Sequence, residues 1–214
     1  MSVLYIFNTE YRNEQRISKS YFITLSHTMI IRKSVYEKGR DCMGGEYQFY
    51  NLSERHMSFE TVFLRICHFI QSAPRNMYRL SIGTDSQVHH NNTRFITAIH
   101  LHRVGKGAWG CLYHQMIKRK PPSLREKIYL ETQFSQEIAY LFTPDRIQQL
   151  WDILYPYREE GAEFVMEIHL DIGKYGLTRE FIADMTNKIT AMGLTPKIKP
   201  DAYAAFSYAN RYTK

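Results

Sequence analysis

The sequence predicts a mixed α/β fold, in which a sheet of antiparallel and parallel strands is flanked by helices. Three successive segments after residue 79 alternate apolar and polar residues and are joined by short turns. A helix, strand, helix, strand and helix then follow, each with its own periodicity. The chain has 214 residues, of which 44% are hydrophobic, enough for one domain with a substantial core.

The first three strands are predicted at residues 80–88, 93–104 and 108–117. The residues from His89 to Asn92 form the first turn, and Gly105-Lys106-Gly107 is typical of a hairpin. Because both connections are short, we expect an antiparallel meander.

The remaining elements carry recognisable end signals. Ser58 can cap a helix over residues 59–71, and Ser123 with Glu126 forms a capping-box pattern for a helix reaching about residue 142. Thr143 precedes a further helix that begins with a proline, and Thr178 can cap another that ends at a glycine. Strands at 163–172 and 197–199 surround this last helix, which predicts parallel pairing through a right-handed crossover. A final helix is expected over residues 202–213.

Composition limits the function classes. No apolar run is long enough to span a bilayer, and no cleavable signal pattern is present at the start. The three cysteines share no metal-type spacing, which favours a reducing, cytoplasmic setting. The net charge of +7 permits nucleic-acid binding without establishing it. Nucleotide-binding glycine loops of the Walker and GxGxxG types are lacking, as is a nucleophile elbow.

Residues 1–42 have a different character from the rest, with no sustained periodicity and with seven Lys/Arg against four Asp/Glu. Lys38-Gly39-Arg40 can be encoded by AAA-GGG-AGG, which contains a purine-rich bacterial ribosome-binding sequence. Met43 then follows at the distance of a start codon. We interpret residues 1–42 as an over-extended gene assignment and residues 43–214 as a single domain. The alternative is a basic, disordered extension.

Four carboxylates are placed unusually. Asp85 lies inside an apolar strand, where it needs a solvated edge, a metal or a hydrogen-bond network, or else bonds a nearby backbone N–H. Glu131 falls within the apolar stripe of its helix, where a carboxylate is costly unless it is paired or bound to a cation. Asp171 ends a strand before Gly173, and Asp201 opens the last helix. His100 and His102 share a strand face, but no third ligand follows at zinc-site spacing, so we expect no zinc there.

Three motifs resemble the ribonuclease H-like YkuK family, a group of bacterial proteins of little established function. They are Ile82-Gly83-Thr84-Asp85-Ser86-Gln87-Val88-His89, His169-Leu170-Asp171-Ile172-Gly173, and Lys199-Pro200-Asp201-Ala202-Tyr203-Ala204-Ala205 continuing to Tyr212-Thr213-Lys214. The resemblance extends from about Tyr47 to the end of the chain. It implies a ribonuclease H-like domain whose clustered carboxylates hold two divalent ions, Mg²⁺ or Mn²⁺.

The resemblance also implies roles for individual residues. Asp85, Glu131 and Asp171 match three metal-binding, catalytic carboxylates, and Asp201 is a candidate for the fourth. The family places an acidic residue where this chain has Asn210, a weaker cation ligand, so an active nuclease and an inactive binding module both remain open. RNA, DNA and hybrid substrates are equally open. Four cations are candidates for contacts with the phosphate backbone, or else belong to a solvated rim: Lys118, Arg119, Lys120 and Lys174.

The interpretation of Met43 predicts the N-terminus of the mature chain. When the gene is expressed from its own upstream sequence, we expect the N-terminal peptide identified by mass spectrometry to begin at Met43 or Gly44. A peptide beginning at Met1 or Ser2 would contradict a start at Met43. A Met43→Leu substitution is the control, because it should abolish the shorter product and leave any longer product unchanged.

Overall fold

A computed structural model describes residues 47 to 204 of the chain. These residues form a five-stranded sheet in the order β3-β2-β1-β4-β5. The strands are β1 (Met77–Val88), β2 (Thr93–Arg103), β3 (Ala108–Ile117), β4 (Glu163–Gly173) and β5 (Thr195–Lys199). Four helices flank the sheet: α1 (Phe59–Gln71), α2 (Leu124–Ala139), α3 (Pro144–Leu154) and α4 (Ile182–Thr190). The predicted mixed α/β fold is therefore confirmed.

The first three strands form the expected antiparallel meander. Val88 pairs with Thr93 across the first turn, and Thr93 pairs in turn with Ile117 on β3. Gly105 and Gly107 both adopt positive φ in the second turn, a conformation that glycine reaches without a steric penalty. Short turns and alternating side chains thus specify this half of the sheet.

The second half of the sheet is parallel. β4 pairs in parallel with β1, and β5 pairs in parallel with β4. The connection from β3 to β4 contains α2, α3 and a 3-10 helix (Tyr155–Glu160), whereas α4 connects β4 to β5. Parallel neighbours need crossover connections of this kind. β1 is the central strand of the sheet, between β2 and β4.

One main hydrophobic core joins the four helices to the sheet. The apolar side of β1 contributes Leu80 and Ile82, both fully buried, and β2 contributes Ile99 and Leu101 beside them. The helices cover this face with apolar stripes at helical spacing: Val62 and Ile66 of α1, Ile128 and Ile138 of α2, Leu150 and Leu154 of α3, Met185 and Ile189 of α4.

Several end signals act differently from expectation. Ser123 accepts a hydrogen bond from the Glu126 N–H, as predicted, but the Glu126 carboxylate pairs with Arg119 at 2.6 Å. The α2 helix ends at Ala139, and β1 begins at Met77. Thr178 does not cap α4, because its hydroxyl accepts from the Gly173 N–H and a 3-10 turn (Arg179–Phe181) intervenes. The side chain of Thr143 likewise makes no capping bond, although Pro144 does open α3.

The outer edge of β3 is paired with the segment that precedes α1. The backbone N–H of Tyr50 donates to the Leu112 carbonyl at 2.9 Å, and the Leu112 N–H donates back at 2.8 Å. Tyr50 also packs on Ile96, Ala98 and Leu112, a small apolar cluster on the sheet face opposite the main core. This segment is thereby fixed to the sheet by backbone bonds and by apolar contact.

Two predictions lie outside the described residues. They are the character of residues 1–42 and most of the final helix, of which the structure describes the start up to Ala204. Within residues 47 to 204, no helix is both long and apolar enough to cross a membrane.

The α1 helix offers a matched test of the core. We expect Ile66→Ala to lower the free energy of unfolding by about 2–5 kcal/mol, because Ile66 is fully buried and its removal leaves a cavity. Leu64→Ala on the same helix should change it by less than about 0.5 kcal/mol, because Leu64 is 57% exposed. Urea denaturation measures both; equal losses would contradict the assigned orientation of α1.

Candidate functional site

The parallel pairing of β1 and β4 brings Asp85 and Asp171 to the same level of the sheet. Gly83 pairs with His169, and each aspartate lies two residues further along its strand. Side chains two residues apart point to the same face, and neighbouring strands are about 4.8 Å apart. The two aspartates lie just beyond the last paired residues, near the carboxyl ends of two parallel strands, and the charge of Asp171 raises the pKa of the Asp85 carboxyl.

Hydroxyl groups fix α2 against the centre of the sheet. Thr84 Oγ1 is hydrogen bonded to Thr97 Oγ1 and to Ser135 Oγ, both at 2.8 Å. Ser135 Oγ also bonds the Glu131 backbone carbonyl at 2.9 Å. This buried chain of hydroxyls links β2, β1 and α2, and it sets the position of Glu131 along the helix. One turn of the helix towards its N-terminus, Lys127 lies on the same side.

The Glu131 carboxylate is buried and held by two donors. Its Oε1 accepts from Ser86 Oγ at 2.7 Å and from Lys127 Nζ at 2.6 Å. Burial raises the pKa of the Glu131 carboxyl to about 7, although both donors favour the anion. A buried carboxyl with a raised pKa is typical of acid–base groups in active sites.

Lys127 connects the three predicted carboxylates. Burial alone lowers the pKa of the Lys127 amine, but the negative charges of Glu131, Asp85 and Asp171 outweigh it and raise the pKa overall. Burial also raises the pKa of the Asp85 carboxyl; Lys127 opposes that effect and Asp171 adds to it. These mutual effects mean that the three carboxylates and the Lys127 ammonium share one electrostatic environment.

Asp171 has a second cation beside it. Lys199 Nζ on β5 lies 2.7 Å from Asp171 Oδ1. That oxygen is shielded from solvent and accepts no hydrogen bond of good geometry, so the contact is an ion pair and not a well-directed hydrogen bond. Lys199 also acts on the charge of Asp85. Asp171 Oδ1 therefore already has a cation of the chain, the Lys199 ammonium, beside it.

The fourth predicted carboxylate is placed differently. Asp201 is exposed in the turn after β5, where its backbone N–H donates to the Ile198 carbonyl at 2.9 Å. Within residues 47 to 204, no contact of its side chain with Asp85, Glu131 or Asp171 is found. Its assignment as a ligand stays a prediction, and Asn210 lies outside the described residues.

The four candidate phosphate-binding cations are at the same end of the sheet. Residues 118–120 follow β3, and Thr93 Oγ1 donates to the Arg119 carbonyl at 3.0 Å, tying this loop to the start of β2. Because Thr93 pairs with Val88, the loop is level with the end of β1 that carries Asp85. Lys174 directly follows β4. All four cations are exposed, and Arg119 is also paired with Glu126.

The donor set suits a hard divalent ion. Carboxylate oxygens are the ligands that Mg²⁺ and Mn²⁺ prefer, and Asp171 Oδ1 is a buried oxygen with no hydrogen bond. Across the described residues, however, no three His, Cys, Asp or Glu side chains already have metal-binding geometry. Glu131 is instead held by Lys127 and Ser86. Metal binding at Asp85, Glu131 and Asp171 would therefore require the Glu131 carboxylate to leave one of its donors.

Comparison with known families identifies the fold group. The sequence model described as "Ribonuclease H-like" matches residues 61–214, which include every strand and helix of the sheet domain except the start of α1. The chain belongs to the ribonuclease H-like family. Asp85 of β1, Glu131 of α2 and Asp171 of β4 all lie within the matched residues.

A curated relative narrows the family further. The chain is 55% identical over 172 residues to the "Uncharacterized protein YkuK" of Bacillus subtilis (strain 168), covering 80% of this chain and all of the relative. Residues 43–214 are also 172 in number, although the start at Met43 stays a prediction. No solved structure matches the chain. The resemblance to the ribonuclease H-like YkuK family is thus confirmed.

A second polar network, which strand periodicity did not predict, lies beside the carboxylates of this ribonuclease H-like domain. On the same side of β4, His169 Nε2 lies 3.2 Å from Glu167 Oε2, and its Nδ1 accepts from the Ala204 N–H at 3.0 Å. The ring therefore carries its hydrogen on Nε2 and donates it to Glu167. Although burial raises the pKa of the Glu167 carboxyl, the His169 hydrogen bond and the Arg79 and Lys197 charges lower it overall.

Tyr203 covers this network. Its hydroxyl is 2.9 Å from Ser81 Oγ, and its ring meets His100 and His169 edge to face, at 5.4 and 4.6 Å between centroids. Alternation alone predicted which residues share this face but not that it is buried. The signal available in the sequence was the run of Glu167, His169 and Asp171 on one side of a strand.

His100 predicts a pH dependence of stability. Burial, with smaller effects of His102 and His169, lowers the pKa of His100 from 6.5 to about 4; Tyr203 and Ser81 also face it. Below pH 6.5 His100 is protonated in the unfolded chain but stays neutral in the folded chain. The free energy of unfolding therefore decreases as the pH falls towards 4. We expect His100→Gln to reduce the loss between pH 6.5 and 4.5 by about 2 kcal/mol.

Urea denaturation at several pH values measures this difference. The control is His90→Gln, because His90 is exposed in the turn between β1 and β2. If the stability curves of wild type and His100→Gln stayed parallel over this pH range, His100 would not be a buried, neutral histidine.

Proposed function

We propose that this protein is a divalent-metal-dependent nuclease that hydrolyses phosphodiester bonds in RNA, DNA or an RNA/DNA hybrid. The observation that supports it is the shared electrostatic environment of Asp85, Glu131 and Asp171, at the ends of two parallel strands in a ribonuclease H-like domain. Three carboxylates from three separate elements are costly to bring together. A fold retains such an arrangement when a cation or a reaction uses it.

Each part of the arrangement has a proposed role. Asp85 and Asp171 would hold Mg²⁺ or Mn²⁺ from adjacent strands, and Glu131 would complete the oxygen donors from α2. A divalent ion held by these residues would supply activation of a water molecule and stabilisation of the leaving oxygen in phosphodiester hydrolysis. Asp201 is a candidate for a further donor. The exposed cations at this end of the sheet would hold the phosphate backbone: Lys118, Arg119, Lys120 and Lys174.

A second function has its own supporting observation. Lys127 and Lys199 already neutralise two of the carboxylates, at 2.6 and 2.7 Å. A ribonuclease H-like module that has lost catalysis could retain such ion pairs for stability and bind nucleic acid without cleaving it. The basic end of the sheet would serve this binding function equally well. The two functions differ in whether product forms, so a cleavage assay distinguishes them.

The nuclease hypothesis predicts the behaviour of Asp85→Asn. Purified protein should cleave labelled nucleic acid with Mg²⁺ or Mn²⁺ and not with EDTA, and Asp85→Asn should lower the rate at least about a hundredfold. The measurement uses a panel of RNA, DNA and hybrid of one sequence. Asp145→Asn is the control, because it makes the same charge change at an exposed position on α3.

Two outcomes of this assay would contradict the nuclease hypothesis. Undiminished cleavage by Asp85→Asn would point to a contaminant or to another site. Binding without cleavage, equal in wild type and variant, would favour the inactive module.

An Asp201→Asn variant, assayed beside Asp85→Asn, tests whether Asp201 is the fourth donor. A loss of cleavage rate comparable to that of Asp85→Asn would add Asp201 to the site, and a loss below about tenfold would remove it.

A further inference from the structure

We propose that the loop of residues 174–178, which directly follows β4, binds single-stranded nucleic acid, with the Tyr175 ring stacked on an unpaired base. The inference rests on the proposed function, because the nucleic acid concerned is the one that the carboxylates would cleave. It goes further by naming a residue that binds bases, and by assigning single strands and not duplexes to this part of the site.

The exposure of the loop tip carries the argument. Tyr175 is 91% exposed and Leu177 is 80% exposed, and neither belongs to an apolar cluster of the described residues. Single exposed apolar side chains are common, but two large ones at the tip of one loop form a surface suited to a ligand. An almost fully exposed tyrosine ring offers its face to a planar group such as a base.

The loop is anchored at both ends. The Gly173 N–H donates to Thr178 Oγ1 at 3.1 Å, which closes the loop across its base. The Arg179 N–H donates to the Gly176 carbonyl at 3.3 Å, and Phe181 packs in the main core directly afterwards. Because both ends are fixed, the loop loses little conformational freedom when a ligand binds.

The loop lies beside the Asp171 carboxylate. The Tyr175 carbonyl oxygen and Lys199 Cβ both lie within 4 Å of the point where a side chain on Gly173 would begin. Lys199 Nζ in turn lies 2.7 Å from Asp171 Oδ1. A strand of nucleic acid held by the loop is therefore held next to one of the carboxylates proposed to cleave it.

The charge at the loop favours a polyanion as the occupant. Lys174 is exposed and directly precedes Tyr175, so a phosphate can meet the ammonium while the next base meets the ring. An aromatic ring with a neighbouring cation is the combination by which proteins bind single strands without sequence preference. A second copy of this chain, with its net charge of +7, would bring further positive charge to the same lysine.

Stacking on the ring selects single strands. In a duplex or a hybrid the faces of the bases are covered by their neighbours, whereas bases in single strands can turn outwards and stack on aromatic side chains. RNA and DNA bases both have such faces, so the loop binds either chemistry.

Binding measured in EDTA tests the proposal, because hydrolysis needs the metal and stacking does not. The probes are labelled oligothymidylate and oligouridylate, each alone and as a duplex with oligodeoxyadenylate, followed by fluorescence anisotropy. Tyr175→Ala should lower the affinity for both single strands at least about fivefold, because a stacked ring is lost. The affinity for the duplexes should change less than about twofold.

Two further variants separate the ring from the charge. Tyr175→Phe keeps the ring and should bind single strands as the wild type does. Lys174→Gln should lower the slope of log affinity against log salt by about 0.7 for single strands, because one phosphate contact is lost. A salt slope unchanged in Lys174→Gln, or a fivefold loss in Tyr175→Phe, would contradict the roles given to these residues.

A matched control is available at the other end of β4. Tyr155→Ala removes an exposed tyrosine from the 3-10 helix (Tyr155–Glu160) that precedes β4, and it should match wild type in every arm. Circular dichroism establishes that each variant is folded, which the exposure of both tyrosines favours.

Four results would overturn the proposal. They are no binding of single strands by the wild type, unchanged binding by Tyr175→Ala, an equal loss for single strands and duplexes, and an equal loss in Tyr155→Ala. Sedimentation velocity distinguishes the other occupant. If Tyr175→Ala alters the mass of the protein in solution and not its affinity for single strands, the loop is an interface between copies of the chain.

The outcome is separable from that of the proposed function. A protein that binds single strands through Tyr175 but cleaves none of them with Mg²⁺ or Mn²⁺ supports the stacking loop and refutes the nuclease. A protein that cleaves nucleic acid, and whose Tyr175→Ala variant binds single strands as tightly as wild type, does the reverse.

Discussion

The parallel pairing of β1 with β4 is the constraint on which the rest of the site depends. β1 is central, so its neighbours on either side are fixed by backbone bonds along its length. A shift of one residue between β1 and β4 would turn one strand's polar side towards the main core. Asp85 and Asp171 therefore meet because Leu80 and Ile82 must remain buried on the other side. The same registry aligns Ser81 with Glu167 and extends the polar surface along both strands.

Electrostatics then determines what this alignment can do. The Asp85 and Asp171 carboxylates repel each other, and Lys127 of α2 and Lys199 of β5 reduce that repulsion. The buried Glu131 reaches the site from the other side of β1, through Ser86. A site built from acids and lysines together is less dependent on metal for its folded state than a site of acids alone. It is also less able to accumulate positive charge, which limits how strongly it can hold cations.

Much of the fold follows from patterns in the sequence. Alternation in β1 and β2, the glycines of the second turn, and Pro144 at the start of α3 each act locally, and their effects appear where expected. Thr178 illustrates the limit, since its hydroxyl bonds Gly173 and not the first turn of α4. The choice between those N–H donors depends on the path of the chain, which no local signal encodes. Asp85 and Glu131 can be identified from the local pattern, because a carboxylate in an apolar strand or stripe is energetically unfavourable. Lys127 and Lys199 cannot, because the two aspartates whose charges they oppose lie far away in the sequence.

The buried polar face shows the same limit in another form. A period of two distinguishes one side of β4 from the other but does not say whether the polar side meets water. Here Glu167 and His169 are buried because Tyr203, from beyond β5, lies across them. Long-range coverage of this kind depends on chain reversal after β5, and a strand-by-strand interpretation has no access to it.

The pairing of Tyr50 with Leu112 has a consequence for how the sheet ends. An unpaired edge strand offers its backbone to other chains, and natural proteins cover or interrupt such edges. Tyr50 occupies both backbone groups of Leu112 and places an aromatic ring over the neighbouring apolar patch. A chain shortened beyond Tyr50 would keep all five strands but leave the backbone groups of Leu112 open to pairing with another chain. The short segment ahead of α1 thus closes the β3 edge at Leu112, which is level, through Ala98 of β2, with Gly83 of β1.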